Sequence, residues 1–133
     1  MNIEKIEGIG PYYAKKLIKV EVKTTNDLLM MGASKGGRQE LPEITDIPEK
    51  LILEWVNLAD LMRIKGVGEE YSDLLEEAGV DSVIELRHRR PDNLHAKILE
   101  VNEEKRLVRR PPSLSMVESW VMQAEKLKPI VSH

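Results

Sequence analysis

Apolar residues along this chain return at intervals of three and four far more often than every second position, which predicts helices and few strands. After Gly10, Pro11 suits a first helical turn, where its missing N–H costs little. Ala14, Leu17 and Ile18 then give the i, i+3, i+4 spacing of a buried face, so the first helix is expected to reach about Val20. Thr24 with Asp27, and Ser82 with Glu85, each pair a hydroxyl cap with an acid three residues on and predict two further short helices. Ser34 to Leu41 reads as another helix, closed by Pro42. Leu51, Trp55, Ala59 and Met62 trace the apolar stripe of a helix running from Pro48 to Arg63. Farther on, Pro91 is expected to stop a short helix and Asp92 to cap one through about Val101. Ser115 with Glu118 is expected to cap the last, which carries Val117, Trp120, Val121 and Ala124.

The pattern also duplicates itself. IEGIGPYYAKKL from Ile6 and IKGVGEEYSDLL from Ile64 match at an offset of 58, which aligns Gly8 with Gly66, Gly10 with Gly68, Tyr13 with Tyr71, Leu17 with Leu75 and Thr24 with Ser82. Each copy leads from an apolar residue through Gly-hydrophobe-Gly into a helical pattern, the signature of two helices joined by a tight, glycine-dependent hairpin. Thr45-Asp46-Ile47-Pro48 resembles a further hairpin without glycines. Trp120 answers Trp55 at an offset of 65, so the second copy has gained seven residues between Leu86 and Trp120.

With GASKGGRQEL, WVNLADLMRIKGVGEEYSDLLEEAGVDSVIELRHRRPDNL and VNEEKRLVRRPP, the chain resembles the helix-hairpin-helix superfamily. More narrowly, over almost its whole length, it resembles the tandem helix-hairpin-helix proteins known only as a domain of unknown function. The resemblance implies an all-α fold of tandem helix-hairpin-helix repeats sharing a central helix, with one unit over residues 1–63, the other over 48–133, and helix 48–63 common to both in one compact body. For the wider superfamily it implies sequence-independent contact with DNA or RNA backbones through hairpin amides, sometimes helped by a monovalent cation. For the narrower family it implies no established activity.

Composition narrows the function further. Phe is absent, with two Trp and three Tyr, so Leu, Ile, Val, Met and Ala must fill the core of this 133-residue chain. The lack of cysteine excludes disulfides, thiol nucleophiles and cysteine-based zinc sites, and favours a reducing, cytoplasmic setting. The short stretch before Gly8 is not expected to be a signal peptide, and no apolar run reaches the roughly 18 residues of a membrane span. A net charge of −3 provides no global field for nucleic acid, so any such surface must be local.

Gly8-Ile9-Gly10 offers close backbone approach and free amides for a phosphate, with Tyr12 keeping its amide donor and Lys15, Lys16 and Lys19 within reach. The alternative is that these glycines only permit a positive φ; the lysines favour contact. Around Gly66-Val67-Gly68 the residues Glu69, Glu70, Asp73, Glu76 and Glu77 repel phosphate and favour a structural hairpin. Tyr13 and Tyr71, at matched positions, suit stacking on bases or packing, and their spacing with the apolar face favours packing. Lys35 and Arg38 flank Gly36-Gly37 at a helix start, which fits either a phosphate grip or a plain capped turn, and the spacing rules out a nucleotide-binding P-loop.

From Arg87 to Arg110 eight basic residues stand against four acidic ones. Arg87 to Arg90 read as helix-end cations, and Arg106, Arg109 and Arg110 as a backbone clamp. His88 and His95 complete no metal site; neither a metal nor a cofactor is expected. No triad or carboxylate pair suggests catalysis. The expected function is non-enzymatic contact with a DNA or RNA backbone without sequence specificity, the alternative being a protein-interaction or oligomerisation module that has lost phosphate binding. The short lead into the first hairpin also calls for a cover over the amino-terminal face, expected from the C-terminal helix around Trp120 or from that same helix surface of a second copy in a homodimer.

Overall fold

The computed structural model of the chain describes all 133 residues and is all-helical. A single 3₁₀ turn, Ile3–Lys5, precedes α1 (Pro11–Lys19), α2 (Thr25–Gly32), α3 (Lys35–Thr45), α4 (Glu49–Leu61), α5 (Glu69–Glu77), α6 (Val83–Arg87), α7 (Pro91–Lys105) and α8 (Leu114–Lys126). The backbone divides into two compact units, Met1–Asp60 with Ile130–His133, and Leu61–Pro129. Nearly all of α4 falls in the first unit, and so do the last four residues. No helix is long and apolar enough to cross a membrane.

In the first unit Leu17, Leu28, Leu41, Ile52 and Trp55 are buried, and the rings of Tyr13 and Trp55 lie 5.2 Å apart. Gly8 takes φ 93°, and a Cβ there would stand 3.2 Å from the Trp55 indole nitrogen. The second unit has the same arrangement: Gly66 has φ 95°, its Cβ would stand 3.2 Å from the Trp120 indole nitrogen, and the Tyr71 and Trp120 rings lie 5.3 Å apart. Trp120 joins one apolar cluster with Ile64, Leu75, Leu86, Ile98 and Val117.

Trp120 itself is 2% exposed, packed in the core of the second unit. The amino-terminal segment covers itself: Ile3 and Ile6 are buried, Ile3 N–H donates to the Lys23 carbonyl at 3.2 Å, and Thr25 N–H donates to Met1 at 2.8 Å.

Local signals set where helices begin. Thr24 accepts from the Asp27 amide at 3.0 Å while the Asp27 carboxylate accepts from the Thr24 and Lys23 amides at 3.1 Å, a complete capping box. Ser82 accepts from the Glu85 amide at 3.2 Å, and Ser34 from Gly37 at 3.1 Å. Three expected boundaries are corrected. Helix α3 runs through Pro42 to Thr45, because the proline forfeits only the bond to the Arg38 carbonyl while buried Leu41 and Thr45 hold the last turn, which closes by Asp46 N–H on the Pro42 carbonyl at 2.9 Å. Pro91 opens α7 from position N1 instead of stopping its predecessor, leaving Asp92 in the first turn, where its carboxylate accepts from Asn93 N–H at 2.8 Å. Ser113, not Ser115, caps α8, accepting from the Met116 amide at 3.2 Å.

Gly8→Ala and Gly66→Ala each combine a positive φ with displacement of a buried indole, and each should lose about 1–2 kcal/mol or more in urea unfolding. Gly10→Ala and Gly68→Ala meet nothing within 4 Å at negative φ and should cost far less. The Asp27 carboxylate is held below its usual 3.8 by the Lys23 amide first, and by the hydroxyl and amide of Thr24. A depressed folded pKa means its stabilisation is complete above the unfolded value and disappears as pH falls through the folded one. Asp27→Asn should therefore flatten the stability-versus-pH curve on the acid side of 3.8 and leave its neutral slope unchanged, as read by urea midpoints across that range.

Candidate functional site

Helix α1 opens on Gly10, which has no side chain to cap it, so no side chain accepts from the following amides of Tyr12 and Tyr13. Ala14 and Leu17 face the interior. Opposite them Tyr12, Lys15, Lys16 and Lys19 follow at i, i+3, i+4, i+7 and share one face. Lys15 and Lys19 are exposed and make no ion pair; Lys16 is half-buried, its Nζ 4.8 Å from the Tyr12 ring centroid and 4.0 Å from the Asp46 carboxylate. Gly8 and Gly10 are exposed beside this face.

The corresponding face of α5 carries the opposite charge. Glu70, Asp73 and Glu77 stand where α1 has Tyr12, Lys15 and Lys19. Glu69 and Glu70 in the first turn suit the positive end of the helix. The carboxylates of Asp73, Glu76 and Glu77 come within 4.8 Å of one another, and Glu77 pairs with Lys105, whose ammonium that hydrogen bond stabilises beyond its ordinary range. Both tyrosines of the aligned pair, Tyr13 and Tyr71, pack on tryptophan.

Of the two readings open for Lys35 and Arg38, the contacts of Arg38 fit the structural one. Arg38 is 6% exposed; its guanidinium donates to the carbonyls of Gly32 at 2.7 Å, Ala33 at 3.0 Å and Ser132. Ser132 N–H in turn donates to Ala33 at 2.8 Å, so the arginine fastens the chain's last residues to the α2–α3 corner. A Cβ on Gly37 would lie 1.8 Å from the Met31 carbonyl oxygen, which makes this glycine a packing requirement. Lys35 alone stays exposed.

The segment 106–113 is the other cationic surface. Most of the second copy's extra length lies in it and in the longer α7. Arg106 ends α7 in the left-handed conformation, φ 51°. Beyond it the backbone is held at alternate residues: Asn102, buried, bonds both the amide and the carbonyl of Val108 at 2.9 and 3.1 Å; the Tyr71 hydroxyl donates to Arg110 at 2.8 Å; His95 Nε2 donates to Pro112 at 2.9 Å. Arg106, Arg109 and Arg110 are exposed and unpaired; the first two line a groove of about 840 Å³ together with Glu70, Leu99, Glu103 and Pro111. Asn102 and His95 were not foreseen as positioning residues; their partners are backbone groups of a loop, which sequence spacing does not mark. Of the arginines read as helix-end cations, Arg87 donates to the carbonyls of Ala124 and Leu127 at the end of α8 and Arg89 to that of Gly79, whereas Arg90 pairs with Asp92.

The family model described as a domain of unknown function (DUF4332) matches residues 7–127. No curated protein and no solved structure matches the chain.

Arg38→Ala removes the guanidinium's bonds to three carbonyls, of which only Ala33 keeps another donor, Ser132, and should cost about 2 kcal/mol or more in urea unfolding. Arg38→Lys, which keeps the charge and loses the planar fork, should recover only part of it.

Proposed function

The chain belongs to that family of unknown function, and we propose that it is a non-enzymatic nucleic-acid-binding module, built from two helix-hairpin-helix repeats, that grips the sugar-phosphate backbone without reading bases. The observation that carries this reading is the α1 face: Lys15 and Lys19, unpaired, and Lys16 beside a glycine turn whose following amides have no side-chain cap. Lys15, Lys16 and Lys19 supply point charges, and the backbone at Gly8 and Gly10 allows a phosphate to come close. Lys35, and separately Arg106, Arg109 and Arg110, add exposed cations; Arg38, buried on carbonyls, is withdrawn from the set. With no aromatic cage, catalytic triad or carboxylate pair around them, these groups can attract and hold an anionic strand and do nothing further to it. A reducing, cytoplasmic setting fits a chain without cysteine.

The carboxylates along α5 favour a second reading for that surface, contact with a basic protein partner, since their negative charge repels phosphate.

Fluorescence anisotropy with labelled DNA and RNA, single- and double-stranded, tests the reading. Binding should reach the micromolar range at low salt. Its log K should fall linearly with log salt, by about 0.7–0.9 per phosphate engaged. Reversing Lys15, Lys16 and Lys19 to Glu should remove most of the affinity and flatten that slope, and reversing Arg106, Arg109 and Arg110 should do so in proportion to the phosphates they hold. A chain that binds no polynucleotide at low salt is an interaction module instead.

A further inference from the structure

Tyr12 is the aromatic residue that the fold does not use. Its neighbour Tyr13 fills the position against Trp55, as Tyr71 does against Trp120, while Tyr12 remains 67% exposed and has Glu70 as its counterpart in the second unit. An aromatic ring so far in water gains little from burial. Yet this ring is held in place: Tyr13 meets it edge-on at 5.3 Å and 63°, and the Lys16 ammonium sits 4.8 Å from its centroid, itself 4.0 Å from Asp46. Lys15 and Lys19 extend the same face, roughly 4.5 and 10 Å farther along the helix axis. An exposed, restrained ring interleaved with unpaired cations is the arrangement that takes a strand by base stacking and phosphate attraction together.

We infer that the α1 face is a stacking site for single-stranded nucleic acid, in which an unpaired base lies on Tyr12 while Lys15 and Lys19 hold the neighbouring phosphates. The inference rests on the backbone-binding reading above and narrows its substrate class. Inside a duplex both faces of every base are covered by neighbouring pairs, so the ring finds a partner only where a strand is open. The lysines, in contrast, attract either form.

The test compares labelled oligothymidine of about 16 nucleotides with a duplex of equal length at one salt concentration, using the full chain. The single strand should bind more tightly. Tyr12→Ala should weaken it about tenfold while changing duplex binding less than about twofold, and Tyr12→Trp should retain the preference. Circular dichroism should show every variant folded, because the ring is outside the core. Equal loss for both ligands, or no loss for the single strand, overturns the stacking site even where Lys15→Glu with Lys19→Glu still weakens both ligands and so leaves the backbone reading intact. Failure of the unmodified chain to bind either ligand removes both.

Discussion

In each unit a buried indole rests against a glycine that the chain has turned to positive φ, and the remaining geometry depends on that contact. Trp55 comes from the middle of α4 and Trp120 from the middle of α8, yet each ends 3.2 Å from the place a glycine Cβ would occupy, with a tyrosine ring filling its flank. The contact joins the hairpin to a helix far along the chain, so the first turn of α1 or α5 cannot pivot freely. A methyl group at Gly8 or Gly66 would force the indole outward and loosen the tyrosine in the same movement. The surface beyond the turn is consequently presented by a packed core.

A scaffold fixed from within leaves its outer face free to change. Position by position, the inward residues of α1 and α5 stay small or apolar: Ala14 is matched by Ser72, fully buried with its hydroxyl turned to the Glu69 carbonyl at 3.1 Å, and Leu17 is matched by Leu75. The outward residues reverse sign, Lys15 against Asp73 and Lys19 against Glu77. Exposed charges cost the fold little either way. Two surfaces of equal geometry and opposite potential therefore coexist in one chain of net charge −3, which is why its average charge says so little about what either surface attracts. Glu21 shows the same tolerance in the backbone. It stands at φ 67° where the second unit has Gly79 at φ 95°, accepting strain that its counterpart avoids.

Helix identity and the caps at Thr24, Ser34 and Ser82 were legible in the sequence because each is decided within a few residues. Boundaries decided by longer-range packing were not. Pro42 looked like a stop because its own ring is one, whereas Leu41 and Thr45, buried on either side of it, carry the helix past. Of the candidate site, the α1 cations lie where their spacing put them. Arg38 does not, since charge is visible in a sequence and burial is not, and its decisive partner, the Ser132 carbonyl, lies 94 residues away. The return of the tail to the first unit has no periodic signal at all.

The segment 106–113 shows what such unmarked contacts contribute. Eight residues between two helices, with three exposed arginines repelling one another, would by themselves sample many conformations and lose that freedom on meeting any ligand. Bonds to Val108, Arg110 and Pro112 from side chains on α5 and α7 prevent this. The ordering cost is met during folding, by groups that are themselves half-buried or buried, so a partner need not meet it again. The backbone bonds hold the segment that carries these like charges against their repulsion. Such a loop is held open as a surface by residues that carry none of its charge, and removing Asn102 would disturb it more than removing any one arginine.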